Sequence, residues 1–322
     1  WVFRVCEYPR LQKLVASILA IAMLSFYGSM EDLVILIFTG LMLLNAIYLV
    51  YLIAPFTKLS KIQVFCVEKD VPENSISLIS SNVLQDNTNY IGCLSEIKRM
   101  NPDVVLLLET NLKWQEETKS LEDNYPFSVK VPLENKYGMT FYSKLPLENT
   151  KVHYMVEDDI PSIHTEIVLP SDQHLQLYAV HPTPPVPNEN PTSKERDKEL
   201  LLVADLVQQS KLPVIVLGDL NDVAWSYTTE LFLKMSGMLD PRRGRGFFNT
   251  FHAHYPFLRF PLDHAFISVD WKLKKLERIH NFDSDHFPIF ISLQYEKHAH
   301  LEQEPLHPDG DDVEEAEEKK KS

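Results

Sequence analysis

The first 57 residues contain two long apolar runs. No charged residue occurs in Leu14–Met30 or Leu33–Thr57, and Glu31 and Asp32 lie in the short connection between them. A helix needs about 20 apolar residues to cross a bilayer, so the second run is long enough with tilt and the first is marginal. We predict a transmembrane helical hairpin in residues 1–57. The alternatives are an interfacial helix for the first run and a buried core helix for the second.

The charges that flank the hairpin predict its orientation. Arg4, Arg10 and Lys13 precede the first run, Lys58 and Lys61 follow the second, and the connection has no Lys or Arg. Basic residues favour the cytoplasmic side, so both ends of the hairpin and the chain beyond them are predicted to be cytoplasmic. A cleaved signal peptide is disfavoured because no small-residue exit follows the first run and a second apolar run comes at once.

Beyond a linker at residues 58–75, short apolar runs alternate with amphipathic segments. Residues rich in Val, Ile and Leu over four to eight positions predict strands, and apolar positions at a spacing of three to four predict helices. The predicted helices are Tyr90–Met100 and Lys194–Gln209. The predicted strands are Ile76–Ser80, Asp103–Leu108, Gly138–Tyr142, Ser162–Leu169, Leu175–Val180, Val214–Leu217, Ala265–Ile267 and Ile289–Leu293. Residues 76–295 are therefore predicted to form an α/β domain.

Composition narrows the class of protein. The 322 residues are 45% hydrophobic and 24% charged, which is ordinary for a folded protein. Three cysteines without CxxC spacing argue against a disulfide framework and a zinc-cysteine site. The net charge of −14 argues against a general nucleic-acid binder, because a phosphate backbone requires a basic surface. Residues 296–322 are strongly acidic without apolar periodicity and are predicted to be a disordered tail.

Polar side chains follow the predicted strands where each one ends, and loops held by a rigid sheet often carry catalytic groups. Carboxylate and amide oxygens are ligands for a hard divalent cation, and histidine transfers protons near neutral pH. Each residue alone also fits a turn or a solvated strand end. The recurring positions are Asn82, Glu109, His181, Asp219, Asn221, Asp263, His264, Asp285 and His286.

The ordered series resembles the endonuclease/exonuclease/phosphatase superfamily, which includes deoxyribonucleases, abasic-site endonucleases, inositol polyphosphate 5-phosphatases and neutral sphingomyelinases. The matching stretches are Ser-Ser-Asn82-Val-Leu, Val-Val-Leu-Leu-Leu-Glu109-Thr, Val-His181-Pro, Gly-Asp219-Leu-Asn221-Asp, Leu-Asp263-His-Ala-Phe and Ser-Asp285-His286-Phe-Pro. Together with the hairpin and the stretch Tyr-Pro-Arg-Leu-Gln, they resemble a bacterial membrane-anchored branch. The resemblance implies a four-layered α/β sandwich of two packed mixed sheets flanked by helices, and it places the protein in the bacterial inner membrane.

The resemblance also implies hydrolysis of a phosphate ester with Mg²⁺, or Mn²⁺ in its place. Glu109 would be the main metal ligand, with Asn82 beside it and Asp285 adding to the site. The other residues would have catalytic roles. Asp219 and Asn221 would orient the attacking water and hold a phosphate oxygen. Asp263 would orient His286, and His181 would assist departure of the leaving group. Which of Asp219 and His286 takes the proton of the water is left open.

Two further stretches have both a functional and a structural interpretation. Arg242, Arg243 and Arg245 are candidates for a phosphate clamp, or they form a basic surface turn. An aromatic-rich stretch of residues 247–260 either lines an apolar substrate site or touches the membrane, or it packs as ordinary core.

Three functions are consistent with the sequence. The first is a membrane-tethered phosphoesterase that acts on a lipid-linked or small phosphorylated substrate. The second is a membrane-tethered nuclease, with nucleic acid as the partner. The third is a non-catalytic membrane scaffold, which is disfavoured because no expected catalytic position is lost. The acidic charge and the lack of a basic, aromatic-interleaved stripe favour the first function over the second.

Overall fold

The computed structural model describes residues 6–28, 32–185 and 192–321. Arg4 and Glu31, which flank the first apolar run in the sequence, lie outside these residues. Two sheets form the centre, with strand orders β10-β11-β1-β2-β4-β3 and β5-β6-β7-β8-β9. The helices are α1 (Arg10–Tyr27), α2 (Leu33–Ile53), α3 (Tyr90–Met100), α4 (Leu112–Glu117), α5 (Lys194–Gln209), α6 (Tyr227–Ser236) and α7 (Gly310–Lys321). The strands are β1 (Ser75–Asn82), β2 (Val104–Leu108), β3 (Phe127–Val131), β4 (Met139–Ser143), β5 (Leu147–His153), β6 (Ser162–Val168), β7 (His174–Ala179), β8 (Val214–Asp219), β9 (Asp263–Ile267), β10 (Trp271–Arg278) and β11 (Ile289–Tyr295).

Buried strands with apolar residues on both faces create the four layers. In β2, Leu106 and Leu108 enter the core between the sheets, whereas Val105 and Leu107 pack outward against Cys93 and Trp114 of the helices α3 and α4. In β8 the same alternation sends Ile215 and Leu217 between the sheets and Val214 and Val216 towards α5 and α6. Successive side chains of a strand point to opposite faces, so an uninterrupted apolar run requires cover on both sides. The predicted four-layered sandwich is confirmed.

Each sheet contains one parallel pair of strands. β1 pairs with β2 and β7 pairs with β8 in parallel, and the crossovers contain α3 and α5. The other neighbours in both sheets are antiparallel. The carboxyl ends of two parallel strands lie at the same edge of their sheet, which brings their terminal loops together.

The two N-terminal helices are long and apolar enough to cross a membrane. The most apolar 18 residues of Arg10–Tyr27 and of Leu33–Phe56 have mean hydropathies of 1.3 and 2.5, and only 11% of each such window is buried. α1 packs on α2, where the Asn45 amide donates to the Ser17 hydroxyl at 3.2 Å. Large side chains of both helices point outward, including Phe26 at 85% exposure. Such apolar surface requires a non-aqueous environment or a partner.

The segment predicted as a linker is partly built into the sandwich. Val64 is fully buried in the core between the sheets. The amide of Val67 donates to Leu273 of β10 at 3.1 Å, and the amide of Leu273 donates to Phe65 at 2.9 Å. The sandwich therefore begins before residue 76, because these residues add backbone pairing to the edge strand β10.

The prediction of a disordered tail is wrong for residues 299–321. Gln303 is buried and donates to the carbonyls of Val269 and Trp271, at 2.9 Å each. The helix α7 then packs on α5 and α6, with Ala316 buried. Three charged residues of α7 form ion pairs with the rest of the domain. Lys319 pairs with Asp197 at 2.7 Å, Lys320 pairs with Asp205 at 2.9 Å, and Asp312 pairs with Lys234 at 2.9 Å. A helix held by ion pairs has little apolar periodicity, which is why its sequence resembles a disordered segment.

Candidate active site

A cavity lies where the parallel strand pairs of the two sheets end. β1 and β2 end at Asn82 and Leu108, and β7 and β8 end at Ala179 and Asp219. Because the sheets pack face to face, these ends meet and surround a cavity of about 530 Å³. Seven predicted site residues line it, namely Asn82, Glu109, His181, Asp219, Asn221, Asp285 and His286.

His286 lies between two buried carboxylates. Its Nδ1 is 2.8 Å from Asp263 Oδ2, and its Nε2 is 3.5 Å from Asp219 Oδ2. Burial alone would lower the pKa of His286, but Asp263 and Asp219 outweigh it and raise that pKa to about 10. A carboxylate at one ring nitrogen fixes the tautomer and the orientation of the imidazole. The geometry therefore directs Nε2 towards Asp219 and the cavity, as the resemblance implied for the pair Asp263 and His286.

Asn82 connects the two sheets across the cavity floor. Its amide nitrogen donates to Glu109 Oε1 at 2.8 Å and to Asp219 Oδ2 at 3.1 Å. The second oxygen of Glu109 accepts from the Gln85 amide at 3.2 Å. Glu109 has a φ of 60°, an uncommon left-handed conformation for a non-glycine residue, directly after β2. Burial raises the pKa of Glu109 to about 6.

His181 lies on the other side of Asp219. Its Nε2 is 3.9 Å from Asp219 Oδ2, and its ring packs against Tyr137 with centroids 5.3 Å apart. Burial lowers the pKa of His181 to about 4, so the neutral ring is favoured near pH 7. The close packing here requires glycine at position 218, where a Cβ would lie 1.9 Å from the carbonyl oxygen of Val180.

Asn221 forms hydrogen bonds with three parts of the cavity wall. Its backbone amide donates to Asp219 Oδ1 at 3.0 Å, and its side-chain amide donates to the Pro182 carbonyl at 2.9 Å. Its own carbonyl accepts from the Tyr8 hydroxyl at 2.6 Å. Asn221 is thus placed beside Asp219 as predicted, but its amide nitrogen already holds the loop that carries His181.

The donor set around the cavity fits a hard divalent cation. Atoms of Asp219, Asp263 and His286 that could bind a metal ion lie within 4.8 Å of one another. Asp285 Oδ1 is buried and has no hydrogen-bond partner among residues 6–28, 32–185 and 192–321. Oxygen donors and excess negative charge favour Mg²⁺ or Mn²⁺ over softer ions. For Asn82 to offer its oxygen to a cation beside Glu109, its amide must turn over, because the nitrogen and not the oxygen faces Glu109 and Asp219.

The three arginines predicted as a phosphate clamp do not line the cavity. Arg242 is buried in an ion pair with Asp240 at 2.8 Å, and its guanidinium also contacts His264 Nδ1 at 2.6 Å. Arg243 lies over the ring of Phe56, and Arg245 donates to the backbone carbonyl of Pro241 at 3.1 Å. For Arg242 the clamp interpretation is therefore replaced by a structural role, because a buried guanidinium that is already paired is not available to a ligand. Arg243 and Arg245 are only partly buried, but they do not line the cavity either.

The sequence prediction missed several residues of the cavity wall. Tyr8 and Pro9, which directly precede α1, line the cavity. Burial, reinforced by Asp222, raises the pKa of Tyr8, so its hydroxyl remains a neutral donor. The Trp225 ring nitrogen donates to the Glu7 carbonyl at 3.0 Å and holds this segment in place. The sequence signal for these two residues was the stretch Tyr-Pro-Arg-Leu-Gln, which contributed to the resemblance but was given no role in the site.

The aromatic-rich stretch supplies the apolar side of the cavity. Phe251 and Phe260 line it together with Leu258 and Leu262. The ring of Phe251 lies 4.9 Å from that of His286. Part of the stretch instead packs as core, since Phe247 contacts Trp225 in an edge-to-face arrangement. The functional and the structural interpretation of this stretch therefore each apply to different residues.

Solved structures with this fold come from several different proteins. D. rerio TDP2 complexed with single strand DNA product is 18% identical, with a TM-score of 0.57, and the match covers 68% of this chain and 99% of that chain. The human Nocturnin catalytic domain with bound sulfate anion is 15% identical, with a TM-score of 0.56 and coverages of 70% and 96%. An endonuclease/exonuclease/phosphatase from Beutenbergia cavernae is 15% identical, with a TM-score of 0.55 and coverages of 69% and 72%. At such identities the likeness shows the fold alone.

The sequence match to a family model is independent of these structures. Among curated proteins, none matches this chain significantly. The model of the Endonuclease/Exonuclease/phosphatase family matches residues 79–286, which is more than half of the chain. The match extends from β1 to His286. This chain therefore belongs to the Endonuclease/Exonuclease/phosphatase family.

Proposed function

We propose that this protein is a membrane-anchored phosphoesterase that requires Mg²⁺ or Mn²⁺ and hydrolyses a lipid-linked or small phosphate ester. One observation carries the proposal. The cavity has a floor of carboxylates and imidazoles and an apolar wall, and part of that wall, Tyr8 and Pro9, directly precedes the apolar helix α1. A substrate with an ionic phosphate and an apolar group fits such a cavity, and the nearby membrane would supply it.

Polar residues of the floor suit the hydrolysis of a phosphate ester. A divalent cation bound by Glu109, with Asn82 and Asp285, would neutralise charge on the phosphate oxygens. Asp219 and His286 Nε2 face each other at 3.5 Å, so these two groups are placed to orient a water molecule and to handle its proton. His181 is buried beside them and is placed to assist the leaving group. Because every expected catalytic residue is present, a purely scaffolding role is disfavoured.

The membrane attachment is supported by the outward-facing apolar surface of α1 and α2. With both ends of the hairpin at the basic, cytoplasmic side of a bacterial inner membrane, the cavity would lie at the cytoplasmic headgroup layer. Substrates confined to that layer gain effective concentration over substrates in solution. Membrane lipids that carry a phosphate ester are therefore the favoured substrate class.

A nuclease is the second candidate, because D. rerio TDP2, which has the same fold, was solved with a single strand DNA product. The charge of the cavity argues against it here. Lys136 is the single Lys or Arg among the described residues that line the cavity, whereas Glu109, Asp219 and Asp285 all do so. A nucleic-acid backbone requires several basic contacts for tight binding.

A metal-dependence assay of the purified full chain tests the proposal. It would compare phospholipids, polyprenyl phosphates, a soluble chromogenic phosphate ester and DNA, each with Mg²⁺, with Mn²⁺ and with excess chelator. We expect kcat/KM for a lipid-linked ester to exceed that for duplex DNA, with activity lost in chelator and in His286→Ala. Efficient DNA cleavage at physiological salt, with none of the lipid esters hydrolysed, would make the nuclease the better assignment.

A further inference from the structure

A groove separate from the catalytic cavity lies between α1 and the loop of residues 249–259. It measures about 390 Å³, and the amide of Gln12 on α1 donates to the Phe257 carbonyl at 2.9 Å beside it. We call it the interfacial groove. It is lined by Leu11, Gln12, Val15, Ala16 and Leu19 of α1 and by Asn249, Pro256, Phe257 and Arg259 of the loop.

One side of the interfacial groove is an apolar stripe. Leu11, Val15 and Leu19 follow one another every four residues and therefore share one face of α1. At a rise of 1.5 Å per residue the stripe is about 12 Å long. Phe257, on the opposite side, is 88% exposed. The stripe runs into the proposed membrane span, so its length and direction suit a hydrocarbon chain.

Positive charge lies at the groove and directly beside it. Arg259 lines it, and Arg278 donates from Nη1 to the carbonyl of Asn249, another lining residue, at 2.8 Å. Both guanidinium groups lie over the ring of Phe287, at 4.9 and 4.1 Å from its centroid. Two like charges on one aromatic ring repel each other, and an anion bound beside them would offset that repulsion.

This pair of arginines has no anionic partner in the described part of the chain. Neither Arg259 nor Arg278 forms an ion pair with a carboxylate in residues 6–28, 32–185 and 192–321. The Nη2 of Arg259 donates to the Ala253 carbonyl at 2.9 Å, but its buried Nε has no partner within the same residues. Burial, and to a smaller extent the positive charge of the neighbouring Arg259, lower the pKa of Arg278.

We propose that the interfacial groove binds an anionic phospholipid, with its phosphate at Arg259 and Arg278 and one acyl chain along the apolar stripe of α1. The proposal rests on the membrane attachment proposed above. A free phosphate ion would satisfy the arginines but would leave the stripe unused. Guanidinium groups bind phosphate oxygens with paired hydrogen bonds, and an adjacent hydrocarbon surface selects a lipid over a soluble anion.

The lipid would bind next to the catalytic cavity without entering it. The loop segment Pro256–Phe260 separates the two spaces, because Phe257 and Arg259 face the groove while Leu258 and Phe260 face the cavity. A lipid that holds Arg259 would therefore order the apolar wall of the cavity. Anionic lipid is expected to lower KM for a soluble ester in detergent micelles, although that ester needs no membrane for delivery.

Native mass spectrometry of the full chain in detergent tests the groove directly. The probes are phosphatidylglycerol, which is anionic, and phosphatidylcholine, which is zwitterionic, with identical acyl chains. We expect phosphatidylglycerol to bind about tenfold more tightly, which corresponds to one favourable charge interaction of about 1.4 kcal/mol. Arg259→Gln and Arg278→Gln should each remove this preference, and Arg259→Lys should keep most of it. The matched control Arg99→Gln, an exposed arginine on α3, should change nothing.

Other outcomes separate the alternatives. Ala16→Trp should fill the groove and weaken both lipids, and unchanged binding would overturn the placement of the acyl chain. Displacement of phosphatidylglycerol by millimolar inorganic phosphate would identify a free-anion site and overturn the lipid assignment. A chain that fails to float with phosphatidylcholine liposomes would contradict the membrane attachment itself. A chain that floats, but whose arginine variants keep the preference, would overturn the groove proposal alone.

Discussion

The hydroxyl of Tyr8 donates a hydrogen bond to the backbone carbonyl of Asn221 at 2.6 Å. Asn221 in turn donates its amide to Asp219, which faces His286. The segment before α1 is thereby connected to the polar floor of the cavity through two hydrogen bonds. The segment that precedes the first apolar helix therefore forms part of the cavity wall, through Tyr8 and Pro9.

Loss of the Tyr8 hydroxyl should therefore impair catalysis more than folding. Tyr8→Phe removes one of the two donors to the Asn221 carbonyl and leaves only the Arg196 guanidinium, which donates at 2.8 Å, and a lost hydrogen bond costs about 0.5–1.5 kcal/mol. We expect kcat/KM for a soluble ester to fall by about tenfold, measured with the full chain in detergent. Tyr227→Phe, which removes a hydroxyl from the exposed Tyr227–Glu315 contact, is the control. Equal activity of Tyr8→Phe and wild type would show that this contact does not position Asn221.

Removal of the Glu109 charge should abolish metal binding as well as activity. Glu109→Gln keeps the hydrogen-bonding shape of the side chain but removes the negative charge that the proposed cation needs. We expect isothermal titration with Mg²⁺ to lose its binding signal and turnover to fall by at least about a hundredfold. Glu116→Gln, on the exposed side of α4, should bind and turn over normally. Full activity of Glu109→Gln in excess chelator would contradict the metal assignment.

His286 and its partner Asp263 should contribute unequally. His286→Ala removes the imidazole and should lower kcat by about 10²–10⁴-fold. The turnover is measured at a temperature where the variant is folded, because Asp263 also loses its buried partner. Asp263→Asn removes the charge that orients Nδ1 at 2.8 Å and should cost less. The exposed His280, in the same connection between β10 and β11, supplies the control His280→Ala. A near wild-type kcat for His286→Ala on the true substrate would refute the role of this residue.

Arg242→Gln should destabilise the fold without changing substrate affinity. The substitution leaves Asp240 buried without its counter-charge, and breaking a buried ion pair typically costs about 3–5 kcal/mol. We expect a clear drop in Tm and an unchanged KM for a soluble phosphate ester at temperatures where the variant is folded. The same measurements on Arg99→Gln should show neither effect. A raised KM with an unchanged Tm would restore the phosphate-clamp interpretation.

His164 should make the fold sensitive to acid. Burial, and then His153, lower the pKa of His164 to about 4, against about 6.5 in an unfolded chain. From pH 6.5 down to 4 the unfolded chain binds a proton that the folded chain does not, so the free energy of unfolding falls as the pH drops. The contribution is up to about 3 kcal/mol. His164→Gln should flatten the dependence of Tm on pH in this window, whereas exposed His307→Gln should not. An identical slope in His164→Gln would contradict this assignment.

The sequence by itself was sufficient to predict the buried strands, the two long helices of the sandwich and the polar residues at the strand ends. The predicted bounds of α3 and α5 are the observed ones. Fully buried strands are recognisable because cover on both faces demands an uninterrupted apolar run. The three strands that were missed, β3, β5 and β10, all lie at sheet edges. Edge strands face solvent and carry charged residues, which weakens the local signal.

Tertiary structure alone decided which polar residues meet and which do not. Asn82 and Asp219 are separated by 137 positions but lie 3.1 Å apart, because the two sheets pack with their carboxyl ends at one edge. The sequence alone cannot tell whether the positive charge of Arg242 binds a ligand or pairs with a carboxylate. The tertiary structure decides this, because it buries Arg242 beside Asp240. Tyr8 enters the cavity through its contact with Asn221, 213 positions away. Contacts of such long range leave no periodicity in the sequence, so they are determined only when the packed layers bring distant segments together.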